Sequence, residues 1–429
     1  MLFSDFNPWW KSAKVPTQLA GKQRGVRDEI ISYLSYRQIL LLFGLRRAGK
    51  TTLMYQLIDY LIQKQNTDPF HILYFSYDEQ RYDLEEILEF YQIQVLKQTM
   101  DSSERVYWFI DEIQKLEGWP DKIKILYDRY PNLKIVLSGS ANLPLQQHTK
   151  ESLAGRFFEF CIEPLSFDEF VRFKEASVDT TREPLYENEI KILFQEYLAN
   201  GGFIEAIPFD ETALRKYFTE SLLERVVFKD IPENFQISRP DLLFRILHIM
   251  AGIPGMYLDY KHLGNDLQAD QRTIANYISY LCYSLLLTKL YNYSHNRLTS
   301  EKKLKRVYLA NTGFLQALSP SMNRLDLLLE NYFAYSLNTH FFYRSPQKQE
   351  IDFIVEKHNV TVPVEIKIRE HLRMRDMKPL IKFMERFDCA RGIVISKHAE
   401  KTETYNHRKI IVLPWWRYWS VREELSGLV

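Results

Sequence analysis

The chain has 429 residues, 46% of them hydrophobic, and 56 Lys and Arg balance 55 Asp and Glu to a formal net charge of +1. That length exceeds one ordinary core, so two to three domains are expected. The charge balance excludes binding of polyanions by overall attraction and leaves only local basic patches for that purpose. Cys161, Cys282 and Cys389 lie far apart with no C-x-x-C pair, which speaks against a zinc knuckle or disulfide framework and for reduced thiols. The opening stretch MLFSDFNPWWKSAKVP lacks a charged region followed by an apolar signal core. No apolar run approaches the ~20 residues of a membrane helix. A soluble, cytoplasmic protein with no membrane partner is the expectation.

In chain order, an apolar run from Gln38 to Phe43 reads as a strand, and Leu53, Leu57 and Leu61 have helical spacing. Between them lies GLRRAGKTT, which fits G-x-x-x-x-G-K-[ST] in full. Gly44 and Gly49 allow backbone N–H groups to turn onto phosphate, Lys50 meets the terminal phosphates, and the Thr51 hydroxyl meets Mg²⁺. The loop Gly44, Leu45, Arg46, Arg47, Ala48, Gly49, Lys50, Thr51 and Thr52 is the candidate nucleotide cradle. A second strand, VYWFIDE, ends in Asp111, a candidate Mg²⁺ ligand through water, and Glu112, which would polarise the attacking water. LKIVLSGSAN puts Ser138, Ser140 or Asn142 where a side chain could sense the terminal phosphate, with Asn142 the catalytic candidate. HILYFSYDE and FFEFCIEPL supply further strands. Strands alternating with helical stretches predict an α/β domain with a parallel sheet covered on both faces.

GLRRAGKTT, FIDEIQ, SGSAN and LAGRFFEFCIEPLSFDEF, with NPWW near the start and NGGFIEAIP at Asn200 to Pro208, resemble a large group of bacterial and archaeal P-loop ATPases of the AAA superfamily. In that group the loop carries a double arginine and a further arginine sits in L-x-G-R; Arg46, Arg47 and Arg156 fill those positions. Arg46 and Arg47 could pair with phosphates, with acidic strand ends or with a neighbouring subunit. The resemblance implies an arginine finger at Arg156, in cis or in trans, the latter needing a homo-oligomer.

Residues 188–325 read as mostly helical. Lys261 to Leu267 and Gln271 to Ser284 form a helix pair, and Leu285 to Tyr293 a strand, an order that fits a winged helix with Arg272, Thr273 and Asn276 facing outward. Arg297, Lys302, Lys303, Lys305 and Arg306 form the densest basic cluster, which would meet either DNA phosphates or a protein partner.

In the last segment, 326–429, QEIDFIVEK and TVPVEIKIR read as a hairpin in which Glu365 and Lys367 share one face and Asp352 lies on the neighbouring strand. Converging carboxylates there would bind a divalent metal, with Glu330 a further carboxylate, or Lys367 would simply neutralise the pair. The pattern resembles the restriction-endonuclease-like fold, an acid followed by (D/E)-x-K, and the ATPase group above commonly ends in such a module of uncharacterised function. The whole is expected to bind ATP and Mg²⁺ in residues 1–187, to hydrolyse ATP to ADP, and to act on DNA. The alternative is a nucleotide-dependent switch or scaffold for protein partners with an inactive nuclease-like domain.

Overall fold

The computed structural model describes residues 3–78, 82–101, 104–143, 152–235, 237–320, 324–358 and 360–426. They form two compact units: residues 1–173 with 203–205, and residues 174–202 with 206–429.

The first unit is built on five parallel strands, β1 (Ile39–Phe43), β2 (Ile72–Ser76), β3 (Val106–Asp111), β4 (Leu133–Gly139) and β5 (Phe157–Cys161), in the order β2-β3-β4-β1-β5. Both faces are covered, which is why ILLLF and ILYFS are unbroken apolar runs and not alternating ones. On one face Leu40, Leu42, Phe109 and Val136 pack against Leu53, Leu57 and Leu61 of helix α1 (Lys50–Gln63). On the other, Leu41, Trp108, Ile110 and Leu137 meet Ile123 and Leu126 of α2 (Trp119–Arg129). This is the parallel α/β sheet of a P-loop nucleotide-binding fold, as the sequence predicts.

NPWW has a definite task. β2 is an edge strand, and Asn7 accepts from the Tyr74 N–H at 2.7 Å and donates to the Tyr74 carbonyl at 2.9 Å, mimicking one rung of a sixth strand. The indoles of Trp9 and Trp10 both donate to the Ile72 carbonyl, at 3.1 and 2.9 Å. The edge is thereby closed against further pairing.

The second unit has a nine-stranded sheet. Its middle sequence segment supplies α3 (Pro240–Gly252), β6 (Met256–Tyr257), α4 (Tyr260–Leu267), α5 (Gln271–Tyr283), β7 (Leu287–Asn292) and β8 (Lys305–Leu309). The expected helix pair forms because Asp259 caps α4 through the N–H groups of Lys261 and His262, and Asp270 caps α5 through that of Arg272. Arg272 and Asn276 are exposed on α5, and Thr273 is half-buried. β8 pairs antiparallel with both β6 and β7.

The last segment adds α6 (Leu325–Ser336), β9 (Phe341–Arg344), β10 (Glu350–Lys357), β11 (Val360–Lys367), α7 (Met374–Arg386), β12 (Arg391–Ser396), β13 (Lys401–Tyr405) and β14 (Arg408–Pro414). The sheet order is β13-β14-β12-β11-β10-β9-β7-β8-β6. β9 runs parallel to β7, so one sheet continues across the boundary at 325/326 that the sequence suggests. Among the described residues no helix is long and apolar enough to cross a membrane.

Candidate functional site

The loop after β1 is shaped by two glycines. Gly44 has φ 153°, and a Cβ there would stand 2.3 Å from the Ile162 carbonyl oxygen; Gly49 has φ 90°. Only glycine adopts these conformations without strain at such a close approach. α1 starts at Lys50, whose ammonium donates to the carbonyls of Gly44 at 3.1 Å and Leu45 at 2.9 Å. Burial lowers the Lys50 pKa; Glu112 and Asp111 pull it back and Arg46 lowers it again, leaving it below its usual value.

Asp111 ends β3 and gathers hydroxyls. Its Oδ2 accepts from Thr51 Oγ1 at 2.6 Å and from the Tyr74 hydroxyl at 3.0 Å, and its Oδ1 accepts from Ser138 Oγ. Glu112 follows with φ 53° and ψ 43°, a left-handed conformation that costs a non-glycine residue about 1 kcal/mol or more and that clusters at working sites. Its carboxylate accepts from Gln114 Nε2. Asn142 is buried just beyond β4, and among the described residues the buried Ser140 hydroxyl has no hydrogen-bond partner. A hydroxyl, a carboxylate and a buried ammonium at the ends of β1 and β3 form the donor set a magnesium nucleotide needs: hard oxygens for the cation and positive charge for the phosphates.

Several bracing residues escape the sequence reading. Arg24 donates to the Ala48 carbonyl in the loop at 2.8 Å, to the Glu163 carbonyl at 2.9 Å and to Glu169 at 3.0 and 3.3 Å. Glu169 is the second acid of LSFDEF, and it also accepts the N–H groups of Gly25 and Ser166. Gln56 accepts the Arg24 N–H at 3.2 Å. Most of these partners lie far apart along the chain, so no local pattern announces them. Ser138, one of the phosphate-sensing candidates, donates to Asp111 and accepts the Glu112 N–H at 3.4 Å.

The double arginine resolves in part. Arg47, at φ 63°, pairs with Glu205 of NGGFIEAIP. The side chains of Ile204 and Arg24 also stand 3.5 and 3.4 Å from where a Gly49 Cβ would lie.

Arg156 lies at the other end of β1 from the loop. Its carbonyl accepts the Ile39 N–H at 2.8 Å, which puts it where β1 enters the sheet, and the phosphate loop lies where β1 leaves it. The guanidinium holds Asp128 at 3.2 and 3.3 Å. A whole strand separates it from its own loop.

A second cluster gathers in the other unit. Glu365 Oε2 accepts the Asp352 N–H at 3.3 Å, Asp352 Oδ2 accepts the Ile366 N–H at 2.8 Å, and Lys367 donates to Glu365 Oε1. The hairpin does bring Asp352, Glu365 and Lys367 together. Burial and Asp352 push the Glu365 pKa up to about 8 against the opposing Lys367. Burial acts downward on Lys367, but Glu365 and Asp352 outweigh it and the net shift is upward. Glu330 joins through Arg306, whose Nη2 donates to it at 2.6 Å, and through the Tyr308 hydroxyl at 2.7 Å. Burial, then Asp352, raise its pKa. Arg306 is therefore withdrawn from the basic cluster: it points inward because alternation along β8 turns it to the carboxylate side, whereas Lys305 faces the Tyr291 ring. The side chains of Arg297 and Lys302 lie outside the described residues. Among the described residues no group of three or more His, Cys, Asp or Glu side chains stands in metal-holding geometry.

Residues 36–171 match the family model of an AAA domain. With the five-stranded parallel sheet and the loop geometry, that match supports a P-loop ATPase domain that binds nucleotide. Residues 191–325 and 326–418 match two domains of unknown function, DUF8612 and DUF4143. The chain is similar over most of its length to the uncharacterized protein MJ1544 of Methanocaldococcus jannaschii, at 25% identity over 94% of this chain and 93% of that one. It is equally similar, at 25% over 90% of this chain and 96% of the other, to an uncharacterized protein of Haemophilus influenzae. Among solved structures, the Aeropyrum pernix ORC1 protein in complex with DNA aligns with 73% of this chain and 96% of its own, at 14% identity and a TM-score of 0.31.

Proposed function

We propose that the protein is a Mg²⁺-dependent ATPase whose nucleotide state governs a winged-helix and nuclease-like region acting on DNA. The observation that carries the ATPase reading is the convergence of Lys50, Thr51, Asp111 and Glu112 at the ends of β1 and β3. Thr51 and Asp111 would hold Mg²⁺, which when bound neutralises phosphate charge. The loop N–H groups and Lys50 bind and orient the terminal phosphates. Glu112 accepts the proton of a water whose oxygen bonds to the terminal phosphorus, and the bond to the bridging oxygen breaks with its electron pair leaving on ADP. Ser140 and Asn142 would position that phosphate, and Arg156 would reach only a neighbour's site, in a homo-oligomer.

Control of the second region is supported by the path of the chain. Phe203–Glu205 belong to the first unit, beside the phosphate loop, yet Gly202 and Ala206 on either side belong to the second. A change at the loop felt by Arg47 and Glu205 is covalently one residue from the second unit. A DNA role is supported by α3-β6-α4-α5-β7-β8, an order that suits a winged helix, and by the Asp352, Glu365, Lys367 hairpin. The deciding experiment is ATP turnover by the pure protein with and without duplex DNA, with the DNA checked by electrophoresis. Turnover accelerated by DNA supports the reading; Mg²⁺-ATP without any turnover in either condition overturns it.

The second reading, a nucleotide switch or protein scaffold with an inactive nuclease-like domain, is favoured by one observation. Cationic side chains already occupy the acidic cluster.

A further inference from the structure

The seat of Arg306 is elaborately built. Gly255 has φ 74°, and a Cβ there would stand 2.6 Å from Arg306 Nη2 and 2.9 Å from the Tyr308 ring, so glycine is what admits the guanidinium. Arg306 Nε donates to the Gly255 carbonyl at 2.9 Å, and the rings of Tyr257, Tyr308 and Phe342 surround the group at 5.8, 5.3 and 5.8 Å. Nη2 holds Glu330. Nη1 stands 3.7 Å from Asp352 Oδ1, is buried and makes no hydrogen bond among the described residues, while the residue as a whole is 9% exposed. A buried donor aimed at a carboxylate but left short of it is costly, and native structures rarely keep one without a use.

Two fixed cations already offset all but one of the cluster's carboxyl charges without any bound ion. Glu330, Asp352 and Glu365 bring three carboxyl groups, and Arg306 and Lys367 bring two fixed cations. A divalent ion on Asp352 and Glu365 would face the guanidinium across a low-dielectric gap, where like charges repel strongly. Cation and guanidinium therefore exclude one another. This arginine does not come from the hairpin but from β8, in the middle sequence segment, and the shared sheet is what delivers it.

We propose that Arg306 is the resident cation of this cluster, pairing with Glu330 and facing Asp352 in place of a divalent metal ion on Asp352 and Glu365, so that the cluster takes up Mg²⁺ or Mn²⁺ only when the guanidinium is withdrawn. The proposal rests on the nuclease-like reading of Asp352, Glu365 and Lys367, and it makes the site closed by default.

The test is Mn²⁺ titration of the full-length chain, by calorimetry and by the paramagnetic signal of free Mn²⁺. Wild type, Arg306→Gln, Arg306→Lys and the double variant Arg306→Met with Glu330→Gln are compared, each with and without Asp352→Asn, so that Mn²⁺ held at the phosphate loop cancels. The double variant removes both ends of the buried pair and guards against misfolding of the single one. Expected is an Asp352-dependent Mn²⁺ site in Arg306→Gln and in the double variant, at least tenfold tighter than in wild type, and its loss again in Arg306→Lys. Wild-type binding as tight as that of Arg306→Gln, or binding by Arg306→Lys, overturns the role of Arg306 and leaves the metal site standing. Cooperatively melting variants with no Asp352-dependent Mn²⁺ binding at all overturn both.

Discussion

Lys50, Glu112 and Arg24 act on the same loop by different means, and their substitutions separate. Lys50→Ala removes the cation that the loop turns toward the terminal phosphates, so Mg²⁺-ATP binding should fall below detection in a fluorescent-nucleotide titration. Glu112→Gln keeps the shape and loses the base; binding should persist while turnover drops by about 10²- to 10⁴-fold, the usual worth of general base catalysis. Wild-type turnover in Glu112→Gln would assign the base elsewhere. Arg24→Ala leaves Glu169 buried without its cation, which typically costs about 3–5 kcal/mol, and frees the Ala48 carbonyl. Urea unfolding and the nucleotide titration should both shift; an unchanged midpoint would show that the brace is dispensable. The difference in legibility follows from distance along the chain. Lys50, Thr51, Asp111 and Glu112 sit in contiguous patterns whose chemistry is local, whereas Arg24, Tyr74, Glu169 and Glu205 become partners only after folding.

At the scale of elements, apolar runs located the strands of the first sheet and alternation located β7, β10 and β11 of the second, but β6, β8, β13 and β14 went unread. β7 pairing with β9 was not readable, because nothing in either strand names its parallel neighbour. Arg306 shows the cost of reading a basic run as one surface: along a strand successive side chains face opposite ways, so Arg306 turns to the carboxylates while Lys305 lies over the Tyr291 ring. Lys302, Lys303 and Lys305 to Ser is thus the relevant change for DNA. It should lower the slope of log affinity against log salt by about 0.9 for each phosphate whose charge is no longer neutralised. An unchanged slope would move any DNA contact elsewhere on the protein, and a wild type with no detectable binding would make this segment a protein-contact module. The edge of β2 offers a stability test. Asn7→Ala leaves the Tyr74 N–H and carbonyl unpaired in a buried place, at about 1–3 kcal/mol for each group, so the thermal midpoint should fall by several degrees. No fall would mean that water or another group closes the edge equally well.

For the whole molecule, the position of Arg156 at the entry end of the sheet turns a question of chemistry into one of assembly. If it completes a neighbour's site, mixing Arg156→Ala with Lys50→Ala protein should restore part of the turnover that each lacks alone. No recovery in mixtures would leave Arg156 as the partner of Asp128 and nothing more. The looping path of the chain through residues 203–205 reaches further still. A recombination event that joined the first 173 residues to a different C-terminal half would leave behind Glu205, the partner of Arg47, and Ile204, the neighbour of Gly49. The phosphate loop is finished by a piece of the chain that a simple domain swap would discard. An ATPase unit cut after residue 173 therefore lacks the acid that Arg47 pairs with and the side chain that stands beside Gly49.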